Sequence, residues 1–334
     1  MVKHNSTVGR IAGGMRLGFG GAPVGNLYRA VDDATAHAAV EAAWEHGIRY
    51  FDTAPHYGLG LSERRMGEVL AAKPREEFVL STKVGRLLRP AEVPRPQDEE
   101  GFAVPGDVVR VRDYSGDGVR RSLEESLTRL GLDRIDVVFI HDPDEYWQEA
   151  IAGAVPELER MRSEGIIGAW GAGMNQWQML HRFVMETDID LVMLAGRYTL
   201  LDQGARGDLI PAAEARGVGI IDVGVFNSGI LASASPDPAA TFDYAPAEAE
   251  VLARARALAL LAEEHGTTLP AAAVAFPLRD PAITAIALGM RTAEQAVEDA
   301  DLFAAVVPEG FWAEAVERGL LAVDPASGKT PRSS

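Results

Sequence analysis

Residues 47–83 read "GIRYFDTAPHYGLGLSERRMGEVLAAKPREEFVLSTK". A short apolar run over 47–52 predicts a strand, the segment 61–72 has a helical pattern, and a second apolar run over 77–83 predicts another strand. A strand, a helix and a strand in this order are the unit from which parallel sheets are built. This stretch therefore predicts an α/β protein.

The same alternation continues along the whole chain. Strands are predicted at 15–21, 47–52, 77–83, 135–141, 166–173, 189–194, 218–224 and 282–289. Helices are predicted at 33–46, 61–72, 115–130, 147–164, 175–187, 203–216, 246–265 and 292–305. Eight strands, each followed by a helix and without a linker-like break, predict one (β/α)8 TIM barrel rather than an open doubly wound sheet.

The barrel is expected to be a single domain over residues 1–323, followed by a disordered tail at 324–334. A long connection at 84–114, rich in proline and charge, follows the third strand. Connections of this length are either functional lids or solvated insertions, and both interpretations remain open here.

Composition narrows the class of partner. The net charge of −17 argues against nucleic acid and anionic membrane surfaces, because both are bound through basic patches. There is no cysteine, which excludes thiolate chemistry and suits a reducing cytoplasm. No apolar run reaches the length of a membrane helix, and the first residues contain no stretch of signal-peptide type. We expect a cytoplasmic protein that binds a small molecule; the pattern does not distinguish a monomer from an oligomer.

Three predicted strands end on ionisable residues. Asp52 ends the second strand, Lys83 the third and His141 the fourth. Alternation along a strand places all three with the residues that face the barrel interior. Active sites of barrels lie at the carboxyl ends of the strands, so these side chains are expected to converge there. Tyr57, in the loop after the second strand, can reach the same place.

This cluster has a specific chemistry. A lysine beside a carboxylate stays charged, and its charge is expected to pull the pKa of Tyr57 down from its ordinary value near 10. Tyr57 would then act as general acid in carbonyl reduction or general base in alcohol oxidation, with Asp52 holding Lys83 and His141 orienting the substrate oxygen. None of these groups can store a hydride, so a cofactor must carry it.

The sequence resembles the aldo-keto reductase superfamily, whose Asp-Tyr-Lys-His tetrad matches Asp52, Tyr57, Lys83 and His141. The segments "FDTAPHYGLGLSE", "YSGDGVRRSLEESLTRLGLDRIDVVFIHDPD" and "GAGMNQW" are similar to the branch of aldose 1-dehydrogenases, which includes L-fucose or D-threo-aldose, L-galactose and pyridoxal dehydrogenases. The resemblance implies NAD(P)-dependent oxidation of an aldose at its anomeric carbon. Pyridoxal 4-dehydrogenase activity, or general aldehyde and ketone reduction, is the alternative within this class.

The resemblance also implies a set of residues that bind the cofactor. They are Gly21 and Ala22 after strand one, Asn175 after strand five, Phe226 after strand seven, and Gly289, Arg291, Gln295, Glu298 and Asp299 after strand eight. A turn that feeds a helix N-terminus suits the phosphates of a dinucleotide. Arg291 is the only cation that the alignment places there, and Glu298 and Asp299 would repel a 2′-phosphate, so NAD is predicted over NADP.

The substrate pocket is expected to include Tyr28, His56 and Trp147. Each has a second interpretation: His56 as an ordinary loop histidine, and the aromatic residues as part of the core. No histidine has the spacing of metal ligands, so no metal is predicted.

Two functions of other kinds compete with the dehydrogenase. Lys83 at a strand end can be the Schiff-base nucleophile of an aldolase-like barrel. Alternatively, the fold and nucleotide are kept in a noncatalytic, nucleotide-sensing subunit. The complete tetrad and the segment after strand eight favour the dehydrogenase.

Overall fold

The computed structural model describes residues 5–327. The strands of this part of the chain are β1 (Leu17–Gly20), β2 (Tyr50–Asp52), β3 (Val79–Val84), β4 (Arg86–Arg95), β5 (Gly106–Arg112), β6 (Val137–His141), β7 (Ala169–Met174), β8 (Leu191–Ala195), β9 (Gly219–Val223), β10 (Thr241–Phe242), β11 (Ala245–Pro246) and β12 (Ile283–Gly289). Eight of them form a closed parallel barrel in the order β1-β2-β3-β6-β7-β8-β9-β12. The predicted barrel is confirmed, and every predicted strand overlaps one barrel strand.

The helices of the described residues surround this barrel. They are α1 (Ser6–Ala12), α2 (Asp33–Glu45), α3 (Leu61–Leu70), α4 (Gly116–Leu130), α5 (Trp147–Glu149), α6 (Val155–Ser163), α7 (Trp177–Glu186), α8 (Leu209–Arg216), α9 (Ala249–Glu264), α10 (Leu269–Leu278), α11 (Ala293–Ala304) and α12 (Glu309–Glu317). Short polar side chains cap several N-termini: Asp32 accepts from Thr35 N, Ser115 from Gly118 N, and Thr292 from Gln295 N.

The barrel interior is filled by alternation of large and small residues. Tyr50 and Phe139 are fully buried inside it. A Cβ on Gly18 would lie 2.4 Å from the Tyr50 ring, and a Cβ on Gly171 would lie 2.6 Å from the Phe139 ring, so glycine makes room for both rings. Val8 and Ile11 of α1 join this inner core, which α1 therefore covers. The polar site is consequently confined to the opposite end of the barrel, where the strands terminate.

The long connection after β3 is an antiparallel hairpin rather than an irregular loop. Its strands are β4 and β5, and its tip joins the loop that follows β1. Tyr28 N donates to Gly101 O at 2.8 Å, and Ala103 N donates to Asn26 O at 2.9 Å. These bonds hold the hairpin against the mouth of the barrel.

Several other boundaries differ from the sequence prediction. The helix predicted at 203–216 begins only at Leu209, because a 3-10 turn at Gly204–Arg206 precedes it. Helices α1, α10 and α12 were not predicted. In the predicted tail, Asp324 accepts from Arg279 at 2.8 Å, while 328–334 lie outside the described residues. Within residues 5–327, no helix has the length and apolar character needed to cross a membrane.

Candidate active site

Asp52 and Lys83 form a buried ion pair at the ends of β2 and β3. Lys83 Nζ donates to Asp52 Oδ2 at 2.6 Å and to Thr53 O at 3.0 Å. Ser81 Oγ donates to Asp52 Oδ1 at 2.6 Å. Burial lowers the pKa of Lys83, but Asp52 and Tyr57 raise it by more, and the net pKa lies above the ordinary value. The lysine is therefore held as a cation.

Tyr57 is brought to this pair by a tight turn that depends on glycine. Gly58, Leu59 and Gly60 have φ angles of +64°, +54° and +87°. A Cβ on Gly58 would lie 2.1 Å from Gly25 O, so the turn packs directly on the loop that follows β1. Lys83 Nζ lies 4.6 Å from the centroid of the Tyr57 ring. The glycines of this segment thus fix the position of the phenol.

The protonation of Tyr57 differs from the sequence prediction. Burial raises the pKa of Tyr57 and outweighs Lys83, whose charge lowers it. The predicted effect of Lys83 is confirmed in direction, but the prediction of a net decrease is wrong, because burial of the phenol has the larger effect. Tyr57 therefore carries its proton at neutral pH.

His141 closes the site from β6. Its ring centroid lies 5.9 Å from that of Tyr57 and 5.4 Å from that of His56. Burial, followed by the charges of Arg86 and Lys83, lowers the pKa of His141 well below its ordinary value, so the ring is neutral. Its buried Nδ1 has no hydrogen-bond partner among residues 5–327. Since His141 also lines the cavity, its neutral imidazole can contact a substrate oxygen there.

These residues open into one cavity of about 370 Å³ at the mouth of the barrel. Its lining comes from the ends of β3, β6, β7, β8 and β9, from the loops that follow β1, β2, β6, β7 and β9, from the β4–β5 hairpin, and from the short antiparallel pair of β10 and β11. The lining residues are Ala22, Leu27, Tyr28, His56, Tyr57, Lys83, Glu100, Phe102, His141, Asp142, Gly173, Met174, Asn175, Met193, Ala195, Val223, Gly224 and Tyr244. The volume is in the range of small-molecule sites.

Two of the three residues predicted for the substrate pocket lie in this cavity. Tyr28 lines its rim and is 67% exposed, whereas His56 lies deeper. Trp147 lies elsewhere: its ring packs on Phe183 at 4.7 Å between centroids and under the guanidinium of Arg182. The structure places Trp147 in the outer core, so the prediction of a substrate contact is wrong for this residue.

The hairpin supplies residues that the sequence analysis missed. Phe102 packs against His56 at 5.1 Å between ring centroids, and Glu100 also lines the cavity. Arg86 Nη1 donates to His56 Nδ1 at 3.0 Å, and Arg86 Nη2 donates to Asp142 Oδ2 at 2.5 Å. The Pro-rich, charged composition of this segment gave no strand signal, so its place in the site could not be inferred.

The predicted cofactor residues are distributed unevenly around the cavity. Ala22 and Asn175 line it, and Asn175 Nδ2 donates to Ala195 O at 3.2 Å, which leaves its Oδ1 available as an acceptor. Gly21 is buried, and a Cβ there would lie 2.7 Å from Asp52 O, so its role is close backbone packing. Phe226 is half-buried against the outer core and lies outside the lining. Val223, Gly224 and Tyr244 line that side instead.

The segment after β12 contacts the loop after β1. Arg291 Nη2 donates to Leu27 O at 2.7 Å, and Arg291 N donates to Gln295 Oε1 at 2.9 Å. A Cβ on Gly289, at the end of β12, would lie 3.0 Å from Pro23. The buried Nε of Arg291 has no partner among the described residues.

Glu298 and Asp299 of α11, the two carboxylates expected to repel a 2′-phosphate, do not act together. Asp299 is buried, and burial followed by Glu298 raises its pKa to about 7. Glu298 opens instead into a separate surface groove shared with Thr267 and Asp301. Arg29 lies close enough to lower the pKa of Arg291, although burial is the larger cause. Arg29 is thus a second cation near Arg291, in addition to the one on which the prediction of NAD rested.

The site can therefore move a proton but requires a bound hydride carrier. Within the described residues there is no cluster of three or more His, Asp or Glu side chains that could hold a metal ion. A nicotinamide nucleotide fits the residues present, because Asn175 offers a free amide oxygen beside the cavity and Arg291 an unsatisfied buried N–H. The capped N-terminus of α11 lies next to Arg291 and suits a phosphate.

Comparison with known proteins identifies the family. The chain is 45% identical over 309 residues to a D-threo-aldose 1-dehydrogenase of a Pseudomonas species, covering 91% of this chain and 94% of the relative. It is 40% identical over 323 residues to a pyridoxal 4-dehydrogenase of Microbacterium luteolum, with the same coverage of 91% and 94%. A solved glycerol dehydrogenase of Gluconobacter oxydans superposes with a TM-score of 0.73 at 25% identity, covering 96% and 95% of the two chains. Residues 16–317 match the model of the Aldo/keto reductase family, and the chain is an oxidoreductase that belongs to it.

Proposed function

We propose that the protein oxidises an aldose at its anomeric carbon to the lactone, with NAD(P) as the hydride acceptor. The observation that carries the proposal is Tyr57 beside the Lys83–Asp52 pair, in a cavity lined by both polar and apolar side chains. The similarity to a D-threo-aldose 1-dehydrogenase at 45% identity supports the substrate class.

In this mechanism, Tyr57 exchanges a proton with the reacting oxygen of the substrate. Asn175 and Arg291 would hold the nicotinamide nucleotide, which when bound would supply the hydride acceptor for oxidation and the hydride donor for reduction. Because Tyr57 is protonated at rest, oxidation requires that it first release this proton to solvent. The phenolate, stabilised by Lys83, then accepts the proton of the substrate hydroxyl, and Asp52 fixes the position of Lys83. The neutral ring of His141 holds the substrate oxygen facing Tyr57.

The aldolase interpretation is disfavoured by the state of Lys83. A Schiff-base lysine must be neutral to attack a carbonyl, whereas this one is charged and donates to Asp52 and Thr53. Pyridoxal oxidation remains a second candidate, since the relative with 40% identity is a pyridoxal 4-dehydrogenase.

NAD is the proposed nucleotide, in preference to NADP. In support, the guanidinium of Arg291 already donates to Leu27 O, which reduces its capacity to bind a 2′-phosphate. Arg29 is the cation that would oppose this preference. A kcat/KM that is higher for NADP, and that falls in Arg29→Ala, would contradict the proposal.

The experiment that tests the function is an assay of reduced-nicotinamide absorbance with a substrate panel. Purified protein is mixed with NAD or NADP and with L-fucose, L-galactose, D-arabinose or pyridoxal. We expect reduction of the cofactor with at least one aldose, faster with NAD. Activity with pyridoxal alone would replace the aldose by the second candidate. Nucleotide binding without turnover of these or of a wider set of carbonyls and alcohols would favour the sensing subunit.

The cytoplasmic location stays a prediction.

A further inference from the structure

The tip of the β4–β5 hairpin presents a carboxylate to the cavity. Glu100 lines the cavity, and its side chain is 51% exposed. Its carboxylate lies 3.4 Å from Arg110 Nη1 and 3.6 Å from Arg86 Nη1, but it accepts no hydrogen bond from residues 5–327. Glu100 is therefore held in place by charge, with its acceptor lone pairs free.

The two arginines do not require Glu100 for neutralisation. Arg110 Nη1 donates to Asp98 Oδ1 at 2.5 Å, and Arg86 Nη2 donates to Asp142 Oδ2 at 2.5 Å. Each buried guanidinium thus has its own hydrogen-bonded carboxylate. A third carboxylate at this point is surplus to the ion pairs of the hairpin, and ligand binding would explain its presence.

The tip is rigid enough to place Glu100 accurately. Asp98 Oδ2 accepts from Glu100 N at 3.2 Å and from Phe102 N at 3.4 Å. Arg110, which is bound to Asp98, also donates to His56 O at 2.9 Å. The hairpin tip and the loop that carries His56 and Tyr57 are consequently tied together.

His56 lies beside this carboxylate, with Nδ1 3.8 Å from Glu100 Oε2. Because His56 Nδ1 accepts from Arg86, the neutral ring carries its proton on Nε2. Burial, followed by the charges of Arg86 and Arg110, lowers the pKa of His56 to about 2, so this tautomer persists over the working pH range. His56 and Glu100 both line the cavity, and Phe102 provides an apolar surface between polar groups.

We propose that Glu100 and His56 Nε2–H recognise the hydroxyl groups of the substrate, Glu100 as acceptor and His56 as donor. This inference rests on the proposed function and specifies its substrate class: neutral polyhydroxylated compounds, with selection against those that carry a carboxylate or phosphate at that end. An acceptor carboxylate discriminates strongly for hydroxyls, because its desolvation is compensated only when they are present.

The test compares two hemiacetals that undergo the same oxidation. L-fucose carries several hydroxyls besides the anomeric one, and 2-hydroxytetrahydropyran has the same six-membered ring without them. Glu100→Gln removes the charge and keeps the shape. Glu99→Gln is the matched control, because Glu99 is 68% exposed and lies outside the cavity lining. Melting temperatures verify that both variants are folded.

We expect Glu100→Gln to lower kcat/KM for L-fucose by about tenfold, because Gln keeps an acceptor oxygen but loses the charge that strengthens the hydrogen bond. For 2-hydroxytetrahydropyran the change should stay below about threefold, and Glu99→Gln should alter neither value. Equal losses on both compounds, or no loss on L-fucose, would overturn this inference alone. If another aldose of the panel is the better substrate, it takes the place of L-fucose in this comparison; wild-type protein that oxidises no aldose would contradict the proposed function, and the inference with it.

Discussion

Two buried aspartates on barrel strands illustrate how the surroundings of a single residue determine its protonation. Asp52 accepts from Lys83 and Ser81, so its charge is compensated. Asp222, on β9, is fully buried, and neither of its oxygens has a hydrogen-bond partner among the described residues. Burial, with a smaller contribution from Asp202, raises the pKa of Asp222 well above its ordinary value. Asp222 therefore holds its proton in the folded protein.

This difference predicts a pH-dependent effect of Asp222→Asn. As pH rises above about 4, the unfolded chain loses the Asp222 proton while the folded chain keeps it, so wild-type stability falls. Asparagine does not titrate. The melting temperature of the variant minus that of wild type should therefore increase between about pH 5 and about pH 8. The corresponding difference in unfolding free energy grows by at most about 1.4 kcal/mol per pH unit.

Asp190→Asn provides the control for that measurement. Asp190 is also buried, but it accepts from Arg162 at 2.7 Å and from Trp170 N at 3.1 Å. Its replacement should lower the melting temperature at both pH values. A melting-temperature difference for Asp222→Asn that stays constant or decreases with pH would show that Asp222 is charged in the folded state.

Among the elements, the strands and the turn after β2 were predictable because their signals are local. Apolar runs ending on Asp52, Lys83 and His141 identified the strands and the direction of their last side chains. The place of the β4–β5 hairpin could not be predicted, because its hydrogen bonds to the loop at Asn26 and Tyr28 join positions far apart in the chain. The cavity wall at Glu100 and Phe102 was missed for the same reason.

The turn after β2 gives the prediction at this scale. Gly58→Ala adds a Cβ that would overlap Gly25 O, and this should displace Tyr57. We expect kcat/KM to fall by about 10- to 100-fold, as for a misplacement of about 1 Å at a reacting group. Gly131→Ala is the matched control, since Gly131 has the same φ of +64° with no atom near its Cβ position. Both variants should lose stability, but only Gly58→Ala should lose activity. Wild-type turnover in Gly58→Ala would contradict the role of this turn.

In the whole molecule, the apolar residues that stabilise the barrel and the residues of the candidate active site lie at opposite ends. The interior core around Tyr50 and Phe139, covered by α1, fills one end, and the charged residues occupy the other. The fold and the positions of the tetrad were predictable, because eight repeated units determine where strand ends meet. The direction of the pKa shift of Tyr57 could not be predicted, because burial in the folded chain outweighs the charge of Lys83. Trp147 was misassigned because a tryptophan near a strand end packs equally well on a helix.

The most direct test of the account is the activity of Tyr57→Phe, which removes only the hydroxyl. Turnover of the aldose identified in the panel is measured together with nucleotide affinity, obtained from quenching of tryptophan fluorescence. We expect kcat to fall by at least about 100-fold, the contribution of a general acid–base group, while nucleotide affinity stays within about threefold. Turnover at the wild-type rate with Tyr57→Phe would contradict the proton-transfer role of Tyr57.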